Sequence, residues 1–210
     1  MRRLPVYLLL DTSGSMTGEP IEALKNGVQL LTSTLRQDPY ALETAWVSVI
    51  GFGGGAAVLV PLTELVSFQP PVLVARGDTQ LGAALELLAR QIDSEVIKTT
   101  ADTKGDWRPI VFLMTDGSPT DDWNRGYEML LATRATVIAC AAGALADTSV
   151  LSVITESVVT LDTADPTTIK AFFRWVSASI AATSQKVEAS GRELTGLKDL
   201  PPPPKEINIV

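Results

Sequence analysis

The chain has 210 residues, 46% hydrophobic and 20% charged, which fits one α/β domain with a sizeable core and excludes a disordered chain. The formal net charge is −7 and no stretch is rich in Lys and Arg, so the basic patch that a nucleic-acid backbone requires is missing. No histidine occurs, which rules out Ser-His-Asp and Cys-His catalysis and imidazole-held zinc on this chain.

The first apolar run, Val6 to Leu10, reads as a buried parallel strand that ends in Asp11. Ile21, Leu24, Val28, Leu31 and Leu35 then recur at helical spacing, with Pro20 near the helix start and Asp38-Pro39 ending it. Thr44 to Phe52 reads as a second strand. Gly53-Gly54-Gly55 turns the chain into a third, Ala57 to Pro61, antiparallel at the sheet edge. After an irregular connection, Leu81, Leu85, Leu88 and Ile92 mark a second helix, and the polar stretch Lys98 to Arg108 a surface loop. Ile110 to Thr115 is the fourth strand, Asp122 to Arg134 a helix, Ala135 to Ala142 the fifth strand and Thr148 to Thr155 a short helix. Ser157 to Leu161 is the last strand. Asp165-Pro166 opens a final helix with Ile169, Phe172, Phe173, Val176 and Ile180 on its core face.

This alternation predicts an α/β fold: a doubly wound, mostly parallel six-stranded sheet with one antiparallel edge strand and helices on both faces. Residues 1–183 form the expected domain. Residues 184–210, where the apolar pattern thins toward Pro201-Pro202-Pro203-Pro204, form an extension expected to be flexible or to dock on a partner. Cys140 lies in an apolar run and reads as a buried thiol. One cysteine makes no internal disulfide, a usage that fits a reducing compartment. The start passes directly into the first strand without an apolar signal region, and no run approaches the roughly 18 apolar residues of a membrane helix. The expected location is cytoplasmic.

Three segments carry the chemistry. Asp11-Thr12-Ser13-Gly14-Ser15 follows the first strand, Gly77-Asp78-Thr79 precedes the second helix, and Thr115-Asp116-Gly117 follows the fourth strand. Loops at the carboxyl ends of parallel strands are where open α/β sheets place ligands. Asp11, Ser13, Ser15, Thr79 and Asp116 offer oxygen only, a donor set for hard cations such as Mg²⁺, Mn²⁺ or Ca²⁺. Each piece also has a plainer reading. The serines and Thr79 can cap the helices that follow them. Asp116-Gly117 can be an ordinary turn. Asp78, Asp121 and Asp122 read as solvated loop charges.

In this order, the three pieces resemble the metal-ion-dependent adhesion site of von Willebrand factor A domains, written D-x-S-x-S, a distant Thr and a distant Asp. The resemblance implies a metal held by Asp11, Ser13, Ser15, Thr79 and Asp116, with the hydroxyls contacting the ion and the acids often acting through water. It also implies one coordination position open to an acidic residue of a partner protein. Within that family, Leu4-Pro5-Val6-Tyr7-Leu8-Leu9-Leu10-Asp11-Thr12-Ser13-Gly14-Ser15-Met16, Gly18-Glu19-Pro20-Ile21 and Pro109-Ile110-Val111-Phe112-Leu113-Met114-Thr115-Asp116-Gly117 resemble the bacterial TerY-type proteins of tellurium-resistance and stress systems. This implies a non-enzymatic adaptor beside a protein phosphatase and a protein kinase. The alternative is a Mg²⁺-dependent phosphoryl-transfer hydrolase of the haloacid-dehalogenase kind using Asp11. Those enzymes need a second acid two residues on, and Ser13 stands there instead.

Overall fold

The computed structural model describes residues 2–210. Strand β1 (Leu4–Asp11) is buried along its whole length. It lies between two parallel neighbours, β2 (Ala45–Gly53) and β4 (Ile110–Thr115), so both of its faces need apolar side chains and the sequence reads as an unbroken run. Alternation still sorts that run. Val6, Leu8 and Leu10 join one core, and Tyr7 and Leu9 the other.

The first core is covered by α1 (Glu19–Leu35) and α6 (Pro166–Ser190), the second by α3 (Leu81–Glu95) and α4 (Asn124–Thr133). On α1 the buried positions Ile21, Leu24, Val28, Leu31 and Leu35 are those of the predicted helical stripe. Phe172 and Phe173 of α6 meet edge to face with ring centroids 5.7 Å apart, and Phe173 is fully enclosed between the helices and the sheet. Truncating such a ring costs about 3–5 kcal/mol.

The sheet order is β3-β2-β1-β4-β5-β6-β7. Here β3 is Gly55–Glu64, β5 Thr136–Ala142, β6 Val158–Leu161 and β7 Asn208–Ile209, and α5 (Thr148–Ile154) lies between β5 and β6. The doubly wound α/β class is as expected. The chain leaves β1 first toward β2 and later returns on its other side as β4, so the topological switch point lies at the carboxyl end of β1, where Asp11 stands.

Three features differ from the sequence reading. Asp38-Pro39 does follow the end of α1, but it also begins α2 (Pro39–Thr44), with the Asp38 carboxylate accepting the Ala41 amide at 2.8 Å and Pro39 in the first turn. The sheet has seven strands and two antiparallel edges rather than six and one. Two residues near the end of the chain pair with β6, a segment too short to show a period. The expected boundary at residue 184 falls inside α6, which continues to Ser190 because Ser184 and Val187 remain buried.

Beyond Ser190 the chain lies along the domain. Leu194 and Ile207 are buried, Trp175 donates its indole N–H to the Pro201 carbonyl at 2.9 Å, and Lys186 pairs with Asp199 at 3.0 Å. Cys140 is buried, and burial pushes its thiol well above the usual range. Among the described residues no helix is long and apolar enough to cross a membrane.

Candidate metal centre

The three loops meet because their backbones touch. The Gly14 amide donates to the Gly77 carbonyl at 2.8 Å, and the Arg76 amide donates to the Thr12 carbonyl at 2.8 Å. The approach is close enough to demand glycine. A Cβ on Gly77, whose φ is +73°, would lie 2.3 Å from the Gly54 nitrogen, and one on Gly53 would lie 2.3 Å from the Arg76 oxygen. The third loop closes on the second. Thr120 donates its amide to the Thr79 carbonyl at 2.9 Å, and a Cβ on Gly117 would lie 3.3 Å from Thr79 Oγ1.

Within this frame the oxygens form a chain. Ser13 Oγ lies 2.9 Å from Ser15 Oγ, and Ser15 donates its hydroxyl to Asp116 Oδ1 at 2.8 Å. Asp11 sits beneath them, fully buried. Its Oδ1 accepts the Ser13 amide at 2.8 Å and its Oδ2 accepts the Thr115 hydroxyl at 2.5 Å. Thr79 is also buried, with its hydroxyl against Gly117. Asp11, Ser13, Ser15 and Asp116 are therefore joined directly, and Thr79 stands beside them against Gly117. Thr115, by sequence a strand end, also fixes the carboxylate of Asp11.

The plainer readings of these residues have other occupants. Helix α1 begins after Gly18, and Ser13 makes no side-chain cap even to the short 3₁₀ turn Gly14–Met16. The residue preceding α3 is Gln80, so Thr79 is not its cap. Asp121 takes that role, accepting the Gly82 and Ala83 amides at 2.9 Å each. Asp121 is thus no solvated loop charge, whereas Asp122 is exposed as expected and accepts the Asn124 amide at 3.0 Å at the start of α4. The Asp116 carboxylate faces Ser15, across 101 residues of chain, rather than its own turn.

The donor set fits a hard divalent ion. Hydrogen bonds of 2.9 and 2.8 Å hold the oxygens of Ser13, Ser15 and Asp116 together, close enough to face one ion. None of the ion pairs among the described residues involves Asp11 or Asp116. Burial raises the Asp11 carboxyl above its usual range, the Ser13 and Thr115 hydrogen bonds oppose this, and the charge of Asp116 adds to the rise. A buried acid without a cation is a place where a bound cation is favourable. No group of three or more His, Cys, Asp or Glu side chains able to hold a metal forms among the described residues. The oxygens gathered here are those of hydroxyls and carboxylates, a donor set that suits Mg²⁺-like ions.

A family model for the von Willebrand factor type A domain matches residues 6–118, from β1 through the third loop. The chain belongs to this family. Among solved structures, the von Willebrand factor type A protein from Catenulispora acidiphila is 21% identical, with TM-score 0.64 over 86% of this chain and 43% of that one. Proximal thread matrix protein 1 from the mussel byssus, solved with a zinc-occupied MIDAS motif, is 20% identical, with TM-score 0.61 over 84% of this chain and 48% of that one. The pilus adhesin SpaC from Lactobacillus rhamnosus GG, in an open conformation, is 14% identical, with TM-score 0.67 over 87% of this chain and 30% of that one. The present chain spans less than half the length of each, and at these identities the likeness is one of fold. No curated protein matches the chain.

Proposed function

We propose that this von Willebrand factor type A chain is a non-enzymatic, metal-dependent protein-interaction module. The observation that carries the reading is the continuous run of oxygens Ser13–Ser15–Asp116 above the buried, cation-free Asp11. Ser13, Ser15 and Thr79 would hold the ion directly, with Asp11 and Asp116 contributing their charge, Asp11 through water because both of its oxygens already accept hydrogen bonds. The ion, Mg²⁺ in the first instance and Mn²⁺ or Ca²⁺ by the same donor logic, would supply a Lewis-acidic position for a partner's Asp or Glu. The protein's own part is to supply neutral hydroxyls as direct ligands, which leave the ion's charge unquenched for that partner. The zinc-occupied MIDAS motif of the mussel protein supports metal occupancy at such a site.

The finer assignment is to the TerY-like subgroup: a cytoplasmic adaptor in a bacterial stress or tellurium-resistance system, with a protein phosphatase or Ser/Thr kinase as partner. It rests on the residue-level resemblance of the first strand, the first loop and the fourth strand. The hydrolase reading is disfavoured by the same geometry. A nucleophilic Asp must reach its substrate, whereas Asp11 is buried with both oxygens engaged, and Ser13 cannot serve as a general acid.

The test is a pull-down from bacterial lysate with Mg²⁺ and again with chelator, using Asp116→Ala as control. A partner lost both with chelator and in the variant supports the module. A partner retained in both sinks the metal-bridged reading and points to another face.

A further inference from the structure

A cavity of about 710 Å³ lies between the outer face of α6 and the segment that follows that helix. Small-molecule sites fall in the range of roughly 300–1,000 Å³. One wall is a stripe of helix positions about one turn apart, with Ala171, Trp175 and Ala178 as its apolar members. Pro201, Pro202 and Pro204 form the other wall. The tail runs antiparallel to the helix. Its Pro201 carbonyl accepts the Trp175 indole N–H at 2.9 Å, and further on Asn208 donates to Asp162, just ahead of α6, at 3.2 Å. Ile207, between these two ties, is buried. The proline wall is thus anchored at both ends, and its rigid rings leave little freedom for a ligand to freeze.

Polar recognition in this cavity is one-sided. Proline has no N–H, so the proline wall offers carbonyl acceptors and no backbone donors. The donors stand on the helix. Lys170 and Arg174 are one turn apart and exposed, and neither makes an ion pair with the described residues. Like charges at this spacing repel each other in a helix, and α6 carries no acid before Glu188 to offset them. The acid in the lining is Glu206, which the antiparallel run of the tail places toward the Pro166 end of the groove. Two cations against one acid leave the cavity net positive, on a chain whose net charge is −7.

We infer that this groove is a binding site for a small amphipathic carboxylate. Lys170 and Arg174 donate to the carboxylate, and its aliphatic body lies along Ala171 and Trp175 against the proline rings. The helix supplies the charge and the tail supplies the shape. Glu206 disfavours a second negative charge on the ligand, which selects a singly charged head. The site shares no residue with the metal centre and does not depend on the metal-dependent reading.

The test titrates octanoate into the 210-residue chain with chelator present, so that no contact between carboxylate and ion contributes. Acetate, a head without a body, and octylammonium, the same body with the opposite charge, are the references. Calorimetry gives the affinity, and the indole N–H resonance of Trp175 reports the groove. The expected result is octanoate binding about tenfold more tightly than either reference, with the Trp175 resonance shifting in step. Lys170→Gln/Arg174→Gln removes that advantage, and Ala171→Phe, which fills the groove from its helix wall, weakens octanoate binding. Lys170 and Arg174 are exposed, so removing their charge leaves the fold intact. Octylammonium binding as tightly as octanoate overturns the inference, as does octanoate binding undiminished in the double variant or in Ala171→Phe. So does the lack of saturable binding at about 10 mM octanoate, or saturable binding that leaves the Trp175 resonance unmoved.

Discussion

The two ends of the sheet treat buried acids in opposite ways. At the amino end, the Asp106 side chain is only 3% exposed and is gripped by Arg3 through two hydrogen bonds of 2.9 and 2.6 Å, while Arg3 also donates to the Glu95 carbonyl. Arg2 stacks on Trp107 at 3.4 Å, and Arg3 lies 4.7 Å from the centre of the Trp46 ring. Tyr7 gives its hydroxyl to Glu95 at 3.0 Å, so burial and that carboxylate hold the phenol far above its usual range. At the carboxyl end, Asp11 is as deeply buried and has hydroxyl and amide donors but no cation. One end is closed by arginine that the chain carries itself. The other would, on the proposed reading, take its cation from outside.

The contrast can be broken from either side. The largest effect is expected for Arg3→Met, which leaves Asp106 buried without a counter-charge and costs about 3–5 kcal/mol in urea unfolding. Adding Asp106→Leu recovers much of that loss, because a buried ion pair and an apolar pair of similar volume are nearly equivalent. At the other end, Mg²⁺ at a hundred times its dissociation constant stabilises the wild type by about 2.7 kcal/mol and leaves Asp116→Ala unmoved. Equal shifts in both proteins would deny the carboxyl end its dependence on outside charge.

Smaller changes sharpen the picture. Asp121→Ala removes the cap of α3 and costs about 1 kcal/mol, with Mg²⁺ affinity retained because Asp121 belongs to the frame and not to the oxygen run. Least of all is a pH effect on the tail. Thr195, and then Lys186, hold Asp199 down at about 2. Its contribution is therefore complete above the ordinary carboxylate range and fades as pH falls from about 4 toward 2. Trp175 fluorescence, which reports the contact with Pro201, should follow that fall in the wild type more steeply than in Asp199→Asn.

What could be read from the sequence, and what could not, follows from the range of each interaction. The strands were legible because burial on both faces writes itself as local runs such as Val6 to Leu10. The five candidate oxygen residues could be picked out because they fall in the loops that follow such runs or precede a helix. Asp121 could not, since it caps a helix 39 residues earlier in the chain, and nothing local distinguishes it from a solvated acid. The short α2 was hidden by the double meaning of Asp38-Pro39, a stop for one helix and a start for the next. The last strand was hidden because two residues carry no period, and because its partner β6 lies some fifty positions away.

The hydrogen bond from Thr115 to Asp11 spans 104 residues. During synthesis, the first half of the chain can form its hairpin of β2 and β3 and its early helices, but the carboxylate of Asp11 stays loose until β4 has docked beside β1. On the proposed reading, ion capture would thus be a late event, dependent on a long-range parallel pairing of the slow kind. A nascent chain that stops short of Asp116 would be unable to hold metal, and acquisition of the ion would time the completion of the sheet's centre.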